Sequence, residues 1–199
     1  DVCSSDLIPY SQFVKGEFDY SYNQYFDAKN RLVYHIGFGL SLPYGNGSVV
    51  PFEKRFFGGG ANGVRGWSVR TLGPGSYSSD RHDDFVKQSG DIKLLLNLEY
   101  RTKLFWKIEA AAFIDAGNIW TIKDYESQPL GQFRFKDFYK QIALAYGLGL
   151  RLDFSYFLIR FDMGVKAYNP SRISSEKWRF KGINWDDDFA LHFAIGYPF

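Results

Sequence analysis

The chain has 199 residues and a formal net charge of +2, so it is long enough for one domain and lacks the basic excess typical of nucleic-acid binding. Its single cysteine excludes a disulfide framework, and it has no run of about 18 apolar residues that could form a transmembrane helix. Aromatic residues make up 20% of the chain and glycine occurs 20 times. Aromatic side chains favour strands and glycines favour turns, so the composition predicts an all-β fold.

The first residues of the chain are Asp-Val-Cys-Ser-Ser-Asp-Leu, which resemble the translation of a common sequencing adapter. We therefore predict that residues 1–7 are a non-native leader in which Cys3 has no role. The alternative is a genuine polar N-terminal tail. Residues 8–199 are expected to form a single domain, because no interdomain linker interrupts them. Native sequence upstream of Ile8 is expected to be missing.

Seven segments show the two-residue alternation of large apolar with small or polar side chains that predicts β-strands. In chain order they cover approximately residues 14–26, 32–42, 92–101, 105–120, 142–154, 157–166 and 189–199. The last is the clearest, and its predicted apolar face consists of Phe189, Leu191, Phe193, Ile195, Tyr197 and Phe199. Strands of globular proteins average about five or six residues, whereas a tilted strand needs about nine to eleven to cross a bilayer. The length of these segments therefore favours membrane-spanning strands.

The connections between the predicted strands alternate between short and long. The long ones cover residues 43–89, 122–141 and 169–187. Short turns on one rim and long loops on the other are typical of outer-membrane β-barrels. A soluble β-sandwich also alternates apolar and polar residues, but strand length, rim asymmetry and a polar face dense in charge favour the barrel. Bacterial barrels contain an even number of strands, so about seven strands predict only part of a larger barrel.

The first long loop, 43–89, is rich in glycine and contains an arginine in the sequence Val64-Arg65-Gly66-Trp67. Its neighbouring glycines are Gly58, Gly59, Gly60 and Gly63. Loops of this length inside compact domains are uncommon and usually functional. Glycines would let this loop pack closely against the inner wall of a barrel. We therefore expect the loop to fold back into the lumen.

Two carboxylates provide a partner for this arginine. By the parity of their strands, Glu99 and Asp115 face the interior from neighbouring strands, and with no cation nearby they would repel each other. The guanidinium of Arg65 could bridge both through charge-assisted hydrogen bonds. The alternative is that Arg65 lies in solvent on an outer loop.

Four pieces of the chain resemble the BamA/TamA superfamily of outer-membrane assembly proteins, also called the bacterial surface antigen family. PFEKRFFGGGANGVRGW followed by TLGPGSY resembles the family's signature loop, and AFIDAGNIW resembles its second barrel motif. NLEYR includes Glu99 where the family has an inward glutamate, and the strand ending in Phe199 is similar to the C-terminal signal for insertion. One departure is Trp67, where the family often has Phe or Tyr. The resemblance covers the chain from Ile8 to Phe199.

This resemblance implies an antiparallel transmembrane β-barrel of the outer-membrane type, of which the chain would supply about seven C-terminal strands of 16. It also implies that Arg65 pairs with Asp115 in the lumen, with Glu99 in support. The expected location is the bacterial outer membrane, and the expected partners are its lipid bilayer, client proteins, accessory assembly proteins and upstream periplasmic domains. The implied function is insertion of β-barrel proteins into that membrane or translocation across it. A two-partner-type secretion pore or a passive porin are the alternatives.

Nothing in the sequence points to catalysis, a cofactor or a metal, and we expect the protein not to be an enzyme. His35, His82 and His192 lie far apart, and two of them fall on polar strand faces, where they are expected to be lumen residues. The run Asp186-Asp187-Asp188 does not have the spacing of a calcium loop, so a solvated rim is the expected role.

Overall fold

The computed structural model describes seven strands joined in one sheet. It describes residues 11–45, 47, 49–77, 86–154, 156–172, 175–179 and 182–199. Residues 1–7 and His82 lie outside these ranges, so the predictions made for them stay predictions. Within these ranges, no helix is both long enough and apolar enough to cross a membrane.

The strands are all antiparallel, and each pairs with its neighbours in sequence, in the order β1 to β7. They are β1 (Gln12–Tyr25), β2 (Asn30–Tyr44), β3 (Ile92–Lys103), β4 (Ile108–Trp120), β5 (Ala143–Asp153), β6 (Leu158–Tyr168) and β7 (Phe189–Ile195). The helical elements that lie entirely within the described ranges are two 3-10 turns, Phe52–Lys54 and Phe138–Gln141, and the four-residue helix α1 (Trp185–Asp188). The prediction of an all-β antiparallel fold is confirmed. The sheet is curved but does not close, as expected of part of a barrel.

The outer face of the sheet is apolar and the inner face is charged. On β3, Leu96, Leu98 and Tyr100 are each 37–40% exposed, whereas Glu99 and Arg101 on the other face are at most 2% exposed. A soluble sandwich would show the reverse, because it buries its apolar faces between two sheets. This inversion of burial excludes the sandwich and fits a wall that faces lipid on one side and a polar lumen on the other.

The two rims of the sheet differ as predicted. The short-turn rim carries the connections 26–29, 104–107 and 154–157, and the long-loop rim carries 45–91, 121–142 and 169–188. In barrels of the outer-membrane type the long loops lie on the extracellular side.

The prediction that the alternating apolar residues of the last strand all lie on one face was wrong at its C-terminal end. β7 ends at Ile195, and Gly196 has a φ of 94°, which takes the chain out of the strand alternation. Tyr197 and Phe199 therefore turn towards the lumen. The Tyr197 hydroxyl accepts a hydrogen bond from Arg31 at 3.2 Å, and the Phe199 ring stacks on His35 at 4.7 Å.

At the long-loop rim, Asp188 ends helix α1 as a buried carboxylate. It accepts hydrogen bonds from Arg179 Nε at 2.8 Å and from the backbone N–H of Asn184 at 2.9 Å. Burial alone would raise the pKa of Asp188, but the hydrogen bonds from Arg179 and Asn184 and the charge of Arg179 lower it overall. Because the folded pKa lies below the unfolded one, this carboxylate stabilises the loop above the unfolded pKa. That contribution is lost as the pH falls through the folded pKa.

Replacing Asp188 with Asn should destabilise this rim by about 1.5–3 kcal/mol at neutral pH, the usual worth of hydrogen bonds to a charged group. Hydrogen exchange of the amides in 182–188 should be faster in the variant at neutral pH, and the difference should shrink on acidification below the unfolded pKa. The exposed neighbour Asp186 supplies the control. Equal exchange in Asp188→Asn and Asp186→Asn would contradict the assignment.

Candidate functional site

The glycine-rich loop folds back against the inner face of the sheet. Gly58 pairs with Leu72, and the N–H of Gly60 donates to the carbonyl of Trp67 at 2.8 Å, which closes the loop on itself. Gly59 and Gly60 have φ values of 80° and 88°, a region that other residues rarely adopt. This turn presents the segment 64–67 to the wall. The apolar residues of the loop form a buried cluster with residues of β3 and β5. Its loop members are Val64, Trp67 and Leu72, and its strand members are Leu95, Ala143 and Ala145.

Arg65 is fully buried and forms a fork with Asp115 on β4. Its Nε lies 2.8 Å from Asp115 Oδ2, and its Nη2 lies 2.8 Å from Asp115 Oδ1. The backbone N–H of Arg65 donates to the same carboxylate at 3.0 Å. Such bidentate, charge-assisted contacts are among the strong hydrogen bonds of proteins. The structure therefore brings together Arg65 and Asp115, as the sequence predicted.

Glu99 on β3 is the second partner of Arg65. Its Oε2 accepts from Arg65 Nη1 at 2.5 Å, while its Oε1 accepts from Arg101 Nε at 2.6 Å and from Arg151 Nη2 at 2.8 Å. The premise that Glu99 and Asp115 lack a local cation was wrong, since Arg101 and Arg151 both reach Glu99. These arginines belong to the inner faces of β3 and β5, where strand parity had already placed them.

A third carboxylate, Asp162 on β6, extends the network. Its Oδ1 lies 2.9 Å from Arg151 Nη1, and its Oδ2 lies 3.5 Å from both Arg65 Nη1 and Arg160 Nε. Arg160 in turn donates to the side chain of Asn62 in the loop at 2.7 Å. Sequence reasoning assigned no role to these residues, although their parity marked them as inward-facing.

Among the described residues, this buried ion network contains four guanidinium groups and three carboxylates. Its members, drawn from the loop and from β3, β4, β5 and β6, are Arg65, Arg101, Arg151, Arg160, Glu99, Asp115 and Asp162. Burial would by itself lower the pKa of Arg65, but the hydrogen bond and charge of Asp115, with the charges of Glu99 and Asp162, raise it above its ordinary value. Arg65 therefore stays charged, and removing any one partner would leave a buried charge without compensation.

Neutral groups surround the arginine. Its guanidinium carbon lies 3.5 Å from the centre of the Phe113 ring on β4, a cation–π contact. Asn97 donates to Asp115 Oδ1 at 2.8 Å and to the carbonyl of Gly63 at 3.1 Å, so it links wall and loop. Nδ1 of His35 lies 2.9 Å from Asn97 Oδ1. His35 is therefore a lumen residue, as expected.

The backbone of the loop also contacts the last two strands. Nε2 of His192 on β7 lies 2.9 Å from the carbonyl oxygen of Arg65, so His192 is a lumen residue as well. On β6, a Cβ atom at Gly164 would collide with that same carbonyl oxygen, so only glycine allows this approach. A Cβ at Gly66 would lie 2.8 Å from that of Ala145. The loop thus packs directly on the wall.

This arrangement joins a loop to five strands and leaves each of its carboxylates in contact with at least one arginine. No cluster of three His, Cys, Asp or Glu residues that could hold a metal occurs within the described ranges. What the geometry can do is fix the position of the loop inside the lumen, through an ion network shielded from solvent.

Comparison with known proteins identifies the relatives of this chain. A family model described as the Omp85 superfamily domain matches residues 7–199. The outer membrane protein assembly factor BamA of Neisseria meningitidis serogroup B (strain ATCC BAA-335 / MC58) is 31% identical over 93 residues. That match covers 44% of this chain and 11% of the relative.

Two solved structures share the fold. BamA from Haemophilus ducreyi lacking POTRA domains 1–3 superposes with a TM-score of 0.63 at 17% identity, covering 93% of this chain and 35% of the other. CdiB from Acinetobacter baumannii gives a TM-score of 0.52 at 16% identity, covering 93% of this chain and 27% of the other. The chain therefore spans about a third of either structure at most, and an open sheet of seven strands is the corresponding part of their fold.

Proposed function

Because the chain belongs to the Omp85 superfamily, we propose that it forms part of a bacterial outer-membrane β-barrel that inserts barrel proteins into that membrane. The observation that carries the proposal is the family match over residues 7–199, which the buried ion network around Arg65 supports, since its loop resembles the family's signature loop. No enzymatic reaction is part of the proposal. The lipid-facing wall described above supports the membrane location.

The proposed mechanism relies on a strand edge and a fixed loop. β7 is the last strand of the sheet, and in the intact barrel it would form a weak seam with the first strand. Opening of that seam would expose unpaired N–H and C=O groups on which an incoming strand can template. His192 of β7 contacts the loop carbonyl of Arg65, so the loop would hold this edge strand in position. Client proteins, accessory assembly proteins and upstream periplasmic domains are the proposed partners.

Depletion of the intact protein from its host tests this function. We expect several unrelated outer-membrane barrel proteins to lose their folded, heat-modifiable forms in parallel, because a general insertion route would serve them all. Loss of a single exported protein, with normal levels of other barrels, would instead identify a secretion pore. A large, steady conductance of the purified protein in planar bilayers, with normal barrel assembly in depleted cells, would identify a porin.

A further inference from the structure

The lipid-facing wall carries an apolar groove of about 1010 Å³ near the long-loop rim. It crosses β4, β5 and β6 and ends beneath the loop 169–188.

Small side chains and an irregularity in strand pairing create the groove. Ala112 and Ala167 are among its lining residues. The pairing of β5 with β6 shifts so that Leu144 pairs with Tyr168 and its neighbour Ala145 pairs with Lys166, which leaves Ala167 without a partner residue. Such bulges locally bend a strand. Small residues at a bend leave space that the bulky side chains of the surrounding wall would otherwise fill.

Two tryptophans from the loop 169–188 form the upper wall of the groove. Trp178 packs edge-on against Tyr168 with ring centroids 5.0 Å apart and forms a β-bridge with it. Trp185 packs on Phe189 at 5.9 Å. Both indoles line the groove and remain more than half exposed. Tryptophan favours the boundary between hydrocarbon and headgroups, so this boundary lies at the upper end of the groove.

A polar recess of about 690 Å³ lies near Trp178 at the rim. Lys140 and Lys177 line it, and the carbonyl of Lys140 accepts a hydrogen bond from Tyr168, the residue that contacts Trp178. Its charged lining residues are Arg134, Lys140, Arg172, Lys177, Asp124 and Asp137. Lys140 pairs with Asp137 at 2.8 Å and Arg172 pairs with Asp187 at 3.2 Å. Lys177 directly precedes Trp178 and forms no ion pair with any residue that the structure describes. Arg134 lies 3.8 Å from its acidic partner Asp124, and both are largely exposed. The recess can therefore accept an anionic group.

We propose that the groove and the recess form one binding site for a phosphorylated membrane lipid. An acyl chain lies in the apolar groove, and the phosphate contacts Lys177 above Trp178. This inference rests on the proposed function in one respect, the location in a bilayer. The groove, the tryptophans and the cations follow one another from the hydrocarbon interior of the membrane towards the long-loop rim. The occupant is therefore a lipid of the leaflet on the long-loop side. A protein partner would not require this order of apolar, aromatic and cationic layers.

Acyl chains in a bilayer are already out of water, so their burial in the groove does not by itself favour binding. Selectivity must therefore come from the lipid headgroup and from the fit of the acyl chain against the indoles. A charge-assisted contact between a lysine and a phosphate supplies the selectivity for the headgroup.

Binding of lipid A to the intact purified protein in detergent, measured by native mass spectrometry, tests the site. Lys177→Glu and Trp178→Ala should each weaken binding by roughly tenfold, since one removes a charge-assisted contact and the other an aromatic wall. Dephosphorylated lipid A should bind the unmodified protein roughly tenfold more weakly for the same reason. Heat-modifiable migration verifies that each variant is folded, and Lys177→Glu, at the rim, leaves the wall intact.

The adjacent pair Trp106-Lys107 at the short-turn rim provides matched controls, because Trp106 is 79% exposed. Trp106→Ala and Lys107→Glu should leave lipid A binding unchanged. The proposal is overturned if the two sets of variants behave alike, or if lipid A and its dephosphorylated form bind equally. Lipid binding is measured without any assembly assay. A negative result in the insertion test therefore does not affect the binding result, and a negative binding result does not affect the insertion test.

Discussion

Replacing Arg65 with Glu is expected to abolish barrel assembly by the protein, with the level of folded client barrels falling to that of depleted cells. The substitution puts a carboxylate against Asp115, Glu99 and Asp162, all of which are fully buried. Breaking a buried ion pair by removing one partner costs about 3–5 kcal/mol, and reversing its charge adds repulsion. This free-energy cost opposes docking of the loop, so the loop should detach from the wall.

Restoring the opposite charge should recover part of the function. In Arg65→Glu/Asp115→Arg, the fork between loop and β4 is re-formed with its polarity reversed, although Glu99 still faces the new carboxylate. Complementation of depleted cells measures both variants against Arg70→Glu, which reverses an exposed charge in the same loop. Full activity of the single variant would remove the role assigned to Arg65, as would a double variant no better than the single one.

Gly164→Val is expected to displace the loop without changing any charge. A Cβ atom at this position on β6 would collide with the carbonyl oxygen of Arg65 and lie 3.0 Å from the N–H nitrogen of Gly66. Both obstacles are backbone atoms, so no side-chain rotation relieves them. Overpacking typically costs about 1–3 kcal/mol, and here that cost opposes docking of the loop directly.

Protease sensitivity of the segment 56–72 should therefore rise strongly in Gly164→Val, together with a loss of client assembly. Gly16→Val on β1 is the matched control, because nothing lies within 4 Å of a Cβ at Gly16. Valine in that open strand position is expected to be neutral or to stabilise by about 0.5–1 kcal/mol. Should Gly164→Val leave the loop as resistant as the control does, close backbone contact is not what holds the loop.

Much of the fold followed from period-two alternation and from the lengths of the connections. The side-chain period of a strand is two, so apolar Leu96 and Leu98 and charged Glu99 could be assigned to opposite faces without coordinates. The same rule placed Asp115 inside, and the glycines around Arg65 indicated a loop able to pack closely. These predictions depend only on local geometry, which each short segment carries in its own residues.

The ion network could not be predicted in full, because parity states which face a residue occupies and not which residue it meets. Arg151 reaches both Glu99 and Asp162 only through the register of four strands and the curvature of the sheet. The same holds for the contact of His192 with the loop.

The C-terminal residues also show that local sequence pattern does not predict tertiary contacts. The apolar alternation continues to Phe199, yet the positive φ of Gly196 turns Phe199 onto His35 across the lumen. Local pattern is therefore sufficient for the faces of the strands and for the identity of the central arginine and its two acids. The partners that meet across the lumen depend on the curvature of the sheet around a packed loop, since charges from distant segments interact only after register and curvature have brought them together.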